Sequence, residues 1–280
     1  MSLSRRSLLN ALPAPFLAPR LVAAPKKKPL VALELFSVRD ELKKDLMGTV
    51  RAIAKLGYQG VEFFSPYFAW TPEQTKEVRK LLDDLGIVCT STHNSASSFA
   101  PENLGKAIEL NQILGSKFVV MASAGKVEGL DGWKGVADRL SAAQEKLKPA
   151  GMSAGFHNHK TEFIAISGTW PMEVLAKNTP NDVVLQLDIG TCLDAGVDPV
   201  AWIEKNPGRV RSLHLKEWSS DPAKGYKVIF GEGSAPWKKI FAAAEKTGGT
   251  EHYLIEQEGS ATPPMETVDL CLKAFRKIHS

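Results

Sequence analysis

Residues 184–188 read Val184-Leu185-Gln186-Leu187-Asp188, a short apolar run that ends in a carboxylate. Three further runs have the same form and end in a histidine or an acid: Ala154-Gly155-Phe156-His157-Asn158-His159, Val210-Arg211-Ser212-Leu213-His214 and Tyr253-Leu254-Ile255-Glu256. The separations along the series His157, Asp188, His214 and Glu256 are 31, 26 and 42 residues. Each is about one strand-helix unit, because a βαβ crossover takes roughly 30 residues. We therefore expect these side chains to converge at one end of a parallel sheet.

The same alternation of short apolar runs and helical segments extends back to Pro29. The predicted strands cover residues 30–36, 60–64, 87–93, 117–123, 152–159, 183–190, 210–217 and 252–258. Between the first two, Leu46, Val50, Ile53 and Leu56 recur at helical spacing. Eight such units predict a single-domain α/β protein, a (β/α)8 TIM barrel over residues 29–280.

The main alternative is an open, doubly wound sheet. That fold usually carries a Gly-x-Gly-x-x-Gly turn after its first strand. Residues 37–40 read Ser-Val-Arg-Asp instead. The barrel is therefore the preferred fold.

The bulk composition is that of a globular protein, with 44% hydrophobic and 24% charged residues. Six of the 35 lysines and arginines lie in the first 28 residues, where there is no acid, so the remainder has 29 basic against 31 acidic residues. The barrel region therefore shows no basic footprint for nucleic acid. No apolar run is long enough to span a bilayer.

The first 28 residues are excluded from the predicted fold. Arg5 and Arg6 precede a moderately apolar stretch that ends in Val22-Ala23-Ala24, which is typical of a twin-arginine export signal. Pro13, Pro15 and Arg20 interrupt that stretch, so a basic disordered tail is the alternative. The first interpretation predicts a periplasmic or extracytoplasmic protein and the second a cytoplasmic one.

The four strand ends predict a metal site. Two imidazoles and two carboxylates form a mixed nitrogen and oxygen site for one divalent ion, with Mn²⁺ preferred over Mg²⁺, Co²⁺ or Zn²⁺. We assign His157, Asp188, His214 and Glu256 as ligands. His159 is left free to contact substrate or to move a proton, although the reverse assignment of the two histidines stays open. The three cysteines are too scattered for a disulfide framework and predict core filling.

Other polar residues at strand ends are further candidates, because reactive groups of this fold lie there. Glu62 and His93 are expected to face the same mouth, with Glu34 deeper and Arg39 just beyond it. Arg39 could instead pair with Glu34 or Glu62. Period-two alternation places Lys216 on the face of His214, and Glu258 on the face of Glu256. Several aromatic residues could line a wall for a sugar ring or pack between helices and barrel: Phe64, Tyr67, Phe68, Trp70 and Trp218.

From about residue 30 to 278 the chain resembles the xylose-isomerase-like TIM-barrel superfamily of sugar phosphate isomerases and epimerases, which includes the AP endonuclease family 2 type. The matching motifs are Leu35-Phe36-Ser37-Val38-Arg39-Asp40, Leu56-Gly57-Tyr58-Gln59-Gly60-Val61-Glu62, Phe156-His157-Asn158-His159, Leu187-Asp188-Ile189-Gly190, Asp198-Pro199-Val200, His214-Leu215-Lys216 and Glu256-Gln257-Glu258. The resemblance implies one divalent metal held at the ends of strands five to eight. One departure is that epimerases of the superfamily usually carry glutamate on the fifth strand, where this chain has His157.

The resemblance implies an enzyme that removes a proton next to a carbonyl of a sugar. His159 and Glu256 are the candidate bases, with Lys216 positioned to stabilise an enolate oxygen and Glu62 a further catalytic candidate. His93, Arg39, Trp218 and Glu258 are assigned to substrate binding. Returning the proton gives an isomerase or epimerase; expelling a neighbouring substituent gives a lyase or hydratase on 3-keto sugars or 3-keto glycosides.

An exported protein with no phosphate loop favours a non-phosphorylated small-molecule substrate. DNA repair is disfavoured, since the near-neutral barrel offers no basic groove. A sugar-binding barrel without catalysis is the alternative from another class. A homodimer is compatible with the sequence.

Overall fold

Short, almost continuously apolar segments form the eight strands, as expected for a parallel sheet covered on both faces. The computed structural model describes residues 28–280. The strands are β1 (Leu30–Glu34), β2 (Gly60–Phe63), β3 (Val88–Ser95), β4 (Phe118–Ser123), β5 (Ser153–His157), β6 (Val184–Asp188), β7 (Ser212–Lys216) and β8 (His252–Glu256). They pair in chain order, all parallel, and β1 closes on β8. The predicted (β/α)8 barrel is confirmed.

Amphipathic helices follow the strands and cover the barrel. They are α1 (Arg39–Lys44), α2 (Leu46–Leu56), α3 (Pro72–Leu85), α4 (Pro101–Leu114), α5 (Gly129–Leu147), α6 (Pro171–Asn178), α7 (Ile189–Asp194), α8 (Pro199–Lys205), α9 (Trp237–Ala243) and α10 (Pro264–Ile278). Helix α3 shows how local sequence sets these bounds. The Thr71 side chain accepts from Gln74 N and Gln74 returns a bond to Thr71 N, Pro72 opens the helix, and Gly86 ends it at φ 66°.

The barrel interior is layered. Phe118, Val120 and Val184 form a fully buried apolar cluster of their own, separate from the larger core between strands and helices. Alternation along the strands places polar side chains above this apolar floor, toward the carboxyl ends. The floor therefore closes one end of the barrel and the polar layer faces the other.

Strand register brings the predicted site residues to one level. Glu34 lies opposite Glu62, His157 opposite Gln186, Asp188 opposite His214, and Lys216 opposite Glu256. All eight of these residues are nine-tenths buried or more. Polar residues at or near the ends of strands β1, β2 and β5–β8 thus form one continuous polar layer.

Several finer expectations are tested by these bounds. Strand β5 ends at His157, so His159 leaves the strand and opens a 3-10 turn at Lys160–Phe163. Tyr67 is 1% exposed, and its hydroxyl donates to Asn94 Oδ1 at 2.5 Å, so it packs inside and does not line the mouth.

Cys89, Cys192 and Cys271 are free and buried, which confirms core filling. Among residues 28–280 no helix is long and apolar enough to cross a membrane.

The predicted N-terminal segment, residues 1–28, lies almost wholly outside the described residues. Neither the export signal nor the basic tail is tested by the structure. The division at residue 28 stays a prediction.

Candidate metal centre at the carboxyl end of the barrel

The four predicted ligands converge in the polar layer. One ligand atom each from His157, Asp188, His214 and Glu256 lies within 4.8 Å of the others, and all four residues are buried. Their strands are neighbours in the barrel, and the strand-end positions found from the sequence set their common level. The convergence is as predicted; that these residues hold an ion stays a proposal.

The two oxygens of Asp188 have different surroundings. Oδ1 accepts a hydrogen bond from Thr191 N at 2.8 Å and so caps helix α7. Oδ2 is buried without a hydrogen-bond partner, and Lys216 Nζ lies 3.8 Å away. Burial raises the pKa of Asp188, while Lys216 opposes that shift. One oxygen therefore builds the helix start, and the other is directed into the layer with no bond of its own.

His157 has a matching unsatisfied atom. Its Nδ1 is buried without a partner, and its Nε2 lies 3.9 Å from Asp188 Oδ2. Burial, followed by the nearby charges of His214 and His93, holds the pKa of His157 well below its ordinary value, so the ring is neutral. A buried donor or acceptor without a partner costs about 1–3 kcal/mol. Asp188 Oδ2, which lacks a partner, and the nearby Nε2 of the neutral His157 ring are atoms that a divalent ion would satisfy, so these residues fit a metal.

His214 lies between two carboxylates. Its Nδ1 is 2.6 Å from Glu256 Oε2 and its Nε2 is 2.8 Å from Glu62 Oε2. Burial alone would lower the pKa of His214, but Glu62 and Glu256 raise it to about 10. Without an ion the ring is an imidazolium that bridges both acids, and to bind a metal it would have to release the Nδ1 proton that faces Glu256. Glu62 also fits the role of the carboxylate that orients a metal-binding histidine from its other nitrogen.

Lys216 supplies a buried ammonium group at the edge of the four-residue group. Its Nζ lies 3.2 Å from Glu256 Oε1 and 2.6 Å from Glu258 Oε1, under the ring of Tyr226 at 5.3 Å. Burial alone would lower the pKa of Lys216, but Glu256, Asp188 and Glu258 raise it above its ordinary value. Burial would likewise raise the pKa of Glu256, but Lys216 and His214 hold it well below its ordinary range. Lys216 is therefore a fixed cation and Glu256 a fixed anion.

A second group of polar side chains lies beside the first. His93 Nε2 is 2.6 Å from Gln186 Oε1 and 3.2 Å from Glu62 Oε2, and Gln186 Nε2 donates to Glu62 Oε1 at 2.9 Å. Burial, and then the charge of Glu62, raises the pKa of Glu34 well above its ordinary value. Burial would also raise the pKa of Glu62, but His93 and His214 hold it well below its usual range. The two glutamates thus differ sharply in charge state.

The remaining predicted residues lie farther out. His159 is exposed, and its ring contacts that of His157 edge-on at 4.9 Å between centroids. Arg39 is exposed and lies over the Phe36 ring at 4.4 Å. The alternative that Arg39 pairs with Glu34 or Glu62 is therefore wrong, because its guanidinium bonds Phe36 O at 3.0 Å. Trp218 is half-buried and begins the loop that follows β7.

Three residues that sequence reasoning did not assign hold the site in place. Asn158 accepts from Asp188 N at 2.9 Å and donates to Thr191 Oγ1 at 3.0 Å, so it fixes the turn from β6 into α7. Gln186 joins His93 to Glu62. Glu217 points away from the interior and accepts from Gly231 N at 2.8 Å and Trp237 Nε1 at 2.6 Å. Two of these residues could have been noticed in the sequence, because Asn158 lies one residue from a predicted ligand and Gln186 lies two residues from one.

Comparison with known proteins agrees with this architecture. Residues 50–277 match the sequence signature of the xylose isomerase-like TIM barrel. An inosose dehydratase of Geobacillus thermodenitrificans is 23% identical over 246 residues, covering 75% of this chain and 80% of the relative.

Two solved structures superimpose over most of the chain. A sugar phosphate isomerase/epimerase from Parabacteroides distasonis has a TM-score of 0.74 and 26% identity, covering 91% of this chain and 96% of that one. The 3-keto-D-glucoside 4-epimerase of E. coli has a TM-score of 0.69 and 14% identity, with 89% and 100% covered, a likeness of fold. With the signature spanning most of the barrel, the chain belongs to the xylose isomerase-like TIM-barrel family.

Proposed function

We propose that this protein is a divalent-metal-dependent enzyme that removes a proton next to a carbonyl of a non-phosphorylated sugar or keto-sugar. The observation that carries the proposal is the buried group of His157, Asp188, His214 and Glu256, with two polar atoms lacking partners. Mn²⁺ is the preferred ion, since neutral imidazole and carboxylate ligands suit it. When bound, such an ion would polarise a substrate carbonyl or a pair of hydroxyl oxygens.

The neighbouring side chains divide the remaining tasks. Lys216, a fixed ammonium group, is placed to stabilise negative charge on a substrate oxygen. The low pKa of Glu256 suits a ligand better than a base, because a general base works best when its pKa lies near the operating pH. His159, exposed and in contact with the ring of His157, is the preferred base by position, with Glu256 second. Glu62 contributes by holding His214.

The charge of the site supports a substrate without phosphate. Lys216 already bonds Glu256 and Glu258, and the rest of the polar layer is rich in carboxylates. A dianionic group would be repelled there. The proposed export agrees, because sugar phosphates are mostly intracellular.

Isomerisation or epimerisation is the leading outcome of proton removal. A lyase or hydratase outcome is the second candidate, and a specific observation favours it: the relative of known activity with 23% identity is a dehydratase. In that outcome the electron pair left by the proton forms a double bond and expels the substituent on the next carbon. His157 in place of the usual strand-five glutamate removes one of two acids, which also favours an outcome that needs one base.

The test is solvent exchange by the full chain loaded with Mn²⁺. The protein is incubated in deuterium oxide with ketoses, a keto-inositol and 3-keto glucosides, and deuterium uptake and products are followed by NMR and mass spectrometry. We expect exchange at the carbon next to the carbonyl of at least one compound, lost in Asp188→Asn and reduced at least tenfold in His159→Gln. Products then separate epimer from eliminated compound. Tight sugar binding without exchange would favour the sugar-binding barrel and overturn the proposal.

A further inference from the structure

The long segment between β7 and α9, residues 218–236, has an anchored base and an exposed tip. Glu217 holds the base by accepting from Gly231 N and Trp237 Nε1, and Ser234 N donates to Trp218 O at 2.7 Å. The tip, residues 219–227, extends from this base, and its residues 220–224 are exposed. It ends in a 3-10 turn at Gly225–Lys227.

Tyr226 joins the tip to the chain on both sides of β7. Its hydroxyl donates to Asp194 Oδ2 at 2.8 Å, at the last residue of α7, the helix that follows β6. Its carbonyl oxygen accepts from Gln257 Nε2 at 2.9 Å, just after β8. Among residues 28–280, no other residue of the tip makes a hydrogen bond or ion pair with the chain outside residues 218–236. Tyr226 therefore makes the polar contacts that hold the tip in place.

A cavity separates the tip from the loop that follows β8. Its volume is about 620 Å³, and it is lined by Lys224 and Lys227 from the tip and by Ser260 and Thr262 from the loop. A region with an exposed backbone and few buried contacts opens at a low cost in free energy. The tip therefore has space beside it and little packing against that loop.

The tip also covers the ammonium group of the site. Lys216 is 4% exposed, and its Nζ lies 5.3 Å from the centre of the Tyr226 ring. The other neighbours of this Nζ are the carboxylates of Asp188, Glu256 and Glu258. Asp188 and Glu256 are held in β6 and β8, whereas Tyr226 lies on the exposed tip. Movement of Tyr226 would therefore uncover Lys216 for a substrate oxygen.

We propose that the tip, residues 219–227, is a lid over Lys216 that the hydrogen bond from Tyr226 to Asp194 holds closed, and that it opens to admit substrate. The need for opening rests on the proposed function, in which Lys216 contacts a substrate oxygen. When only the open fraction of molecules can bind, the apparent dissociation constant is the intrinsic one divided by that fraction. Weakening the hydrogen bond should therefore strengthen apparent substrate binding.

The first test is tryptic cleavage of the full folded chain at Lys224 and Lys227, the lysines that flank Tyr226, followed by mass spectrometry. Cleavage requires local opening, so its rate follows the open population when opening is fast. We expect Tyr226→Phe, and independently Asp194→Ala, to raise this rate roughly tenfold, because a hydrogen bond to a charged group is lost. Tyr253→Phe removes a hydroxyl bonded to a different carboxylate and is the matched control, with the wild-type rate.

The double variant shows whether the two residues act through one bond. Tyr226→Phe combined with Asp194→Ala should be cleaved no faster than the faster single variant, because the same hydrogen bond is already lost. Lys160→Ala removes the other partner of Asp194, whose Oδ1 lies 3.0 Å from Lys160 Nζ, and should keep the wild-type rate. Unchanged cleavage in both single variants, or rate increases that multiply in the double variant, would overturn the lid.

The second test uses the keto-sugar that exchanges deuterium with the Mn²⁺-loaded protein. Tyr226→Phe should lower KM severalfold and leave kcat nearly unchanged, because the aromatic ring, the proposed ligands and Lys216 all remain. A wild-type KM in a variant that trypsin cleaves faster would show that the tip does not control access, and the proposal would fail. Absence of exchange with every compound contradicts the proposed function separately, and tryptic cleavage then still decides whether the hydrogen bond holds the tip closed.

Discussion

At the scale of single residues, Asn158 fixes the backbone of Asp188, a predicted metal ligand. Its side chain joins the backbone of Asp188 to the hydroxyl of Thr191, and so spans the turn in which Asp188 both ends β6 and caps α7. Gly190 in that turn has no room for a side chain, because a Cβ would lie 2.9 Å from Lys216 O. The carboxylate of Asp188 is therefore held by packing and hydrogen bonds together.

Asn158→Ala should lower both stability and metal affinity. It leaves Asp188 N without its buried acceptor and removes the amide that donates to the Thr191 hydroxyl, and an unpaired buried donor costs about 1–3 kcal/mol. Chemical denaturation gives the loss of unfolding free energy, and a Mn²⁺ titration gives the loss of affinity. Asn178→Ala removes an exposed amide that bonds only Val174 O, and should leave Mn²⁺ affinity unchanged. Equal Mn²⁺ affinity in both variants would show that Asn158 does not position Asp188.

At the scale of elements, Glu217 attaches the long segment between β7 and α9 to the barrel. Glu217 is 2% exposed, and its carboxylate accepts hydrogen bonds from Trp218 N, Gly231 N, Ala235 N and Trp237 Nε1. The attached segment, residues 218–236, carries Tyr226 above Lys216 and Trp218 beside the mouth. Glu217 thus holds in place the segment that would form one wall of the proposed substrate site.

Glu217→Ala should release this segment and leave the metal centre intact. Four donors lose their acceptor, so hydrogen exchange and proteolysis within residues 218–236 should increase. The number of bound Mn²⁺ ions should stay at the wild-type value, because Glu217 faces away from the ligands. Glu232→Ala, an exposed change in the same segment, is the control. An unchanged exchange pattern in Glu217→Ala would contradict the proposed anchoring.

The elements also show what the sequence could predict. All eight strands were found, with starts within two residues of the observed ones, because apolar runs and glycines are local signals. The convergence of Asp188, His214 and Glu256 followed from topology alone, since parallel strands end at one face. Period-two alternation failed at His159, because the chain turns after His157 and His159 N bonds Glu162 at 2.7 Å. The partners of Glu217 and Asn158 were not predictable, since they depend on how distant loops and helix starts meet.

At the scale of the whole molecule, the floor of the barrel contains a buried histidine, His252, which is outside the proposed ligand set. His252 is 6% exposed, its ring contacts that of Phe118, and its Nδ1 has no partner. Burial lowers the pKa of His252 to about 4, with Glu251 opposing and Lys117 and Arg211 adding to the shift. The folded state therefore keeps this ring neutral at pH values where the unfolded chain protonates it.

This histidine predicts a loss of stability in mild acid. Because the folded pKa is below the unfolded value of about 6.5, the contribution of His252 is present above pH 6.5 and is lost as pH falls toward 4. The free energy of unfolding should drop by about 1 kcal/mol per pH unit more in the wild-type chain than in His252→Gln. Parallel curves for the wild type and His252→Gln would contradict this assignment.

The apolar floor of Phe118, Val120 and Val184 has a kinetic consequence. Because these side chains are fully buried beneath the polar layer, we expect a substrate of the proposed enzyme to enter and leave by one passage, at the carboxyl ends of the strands. A substrate molecule cannot enter while a product molecule occupies that passage, so product must leave before the next substrate binds. Accumulating product should accordingly raise the apparent KM and leave the maximal velocity unaltered.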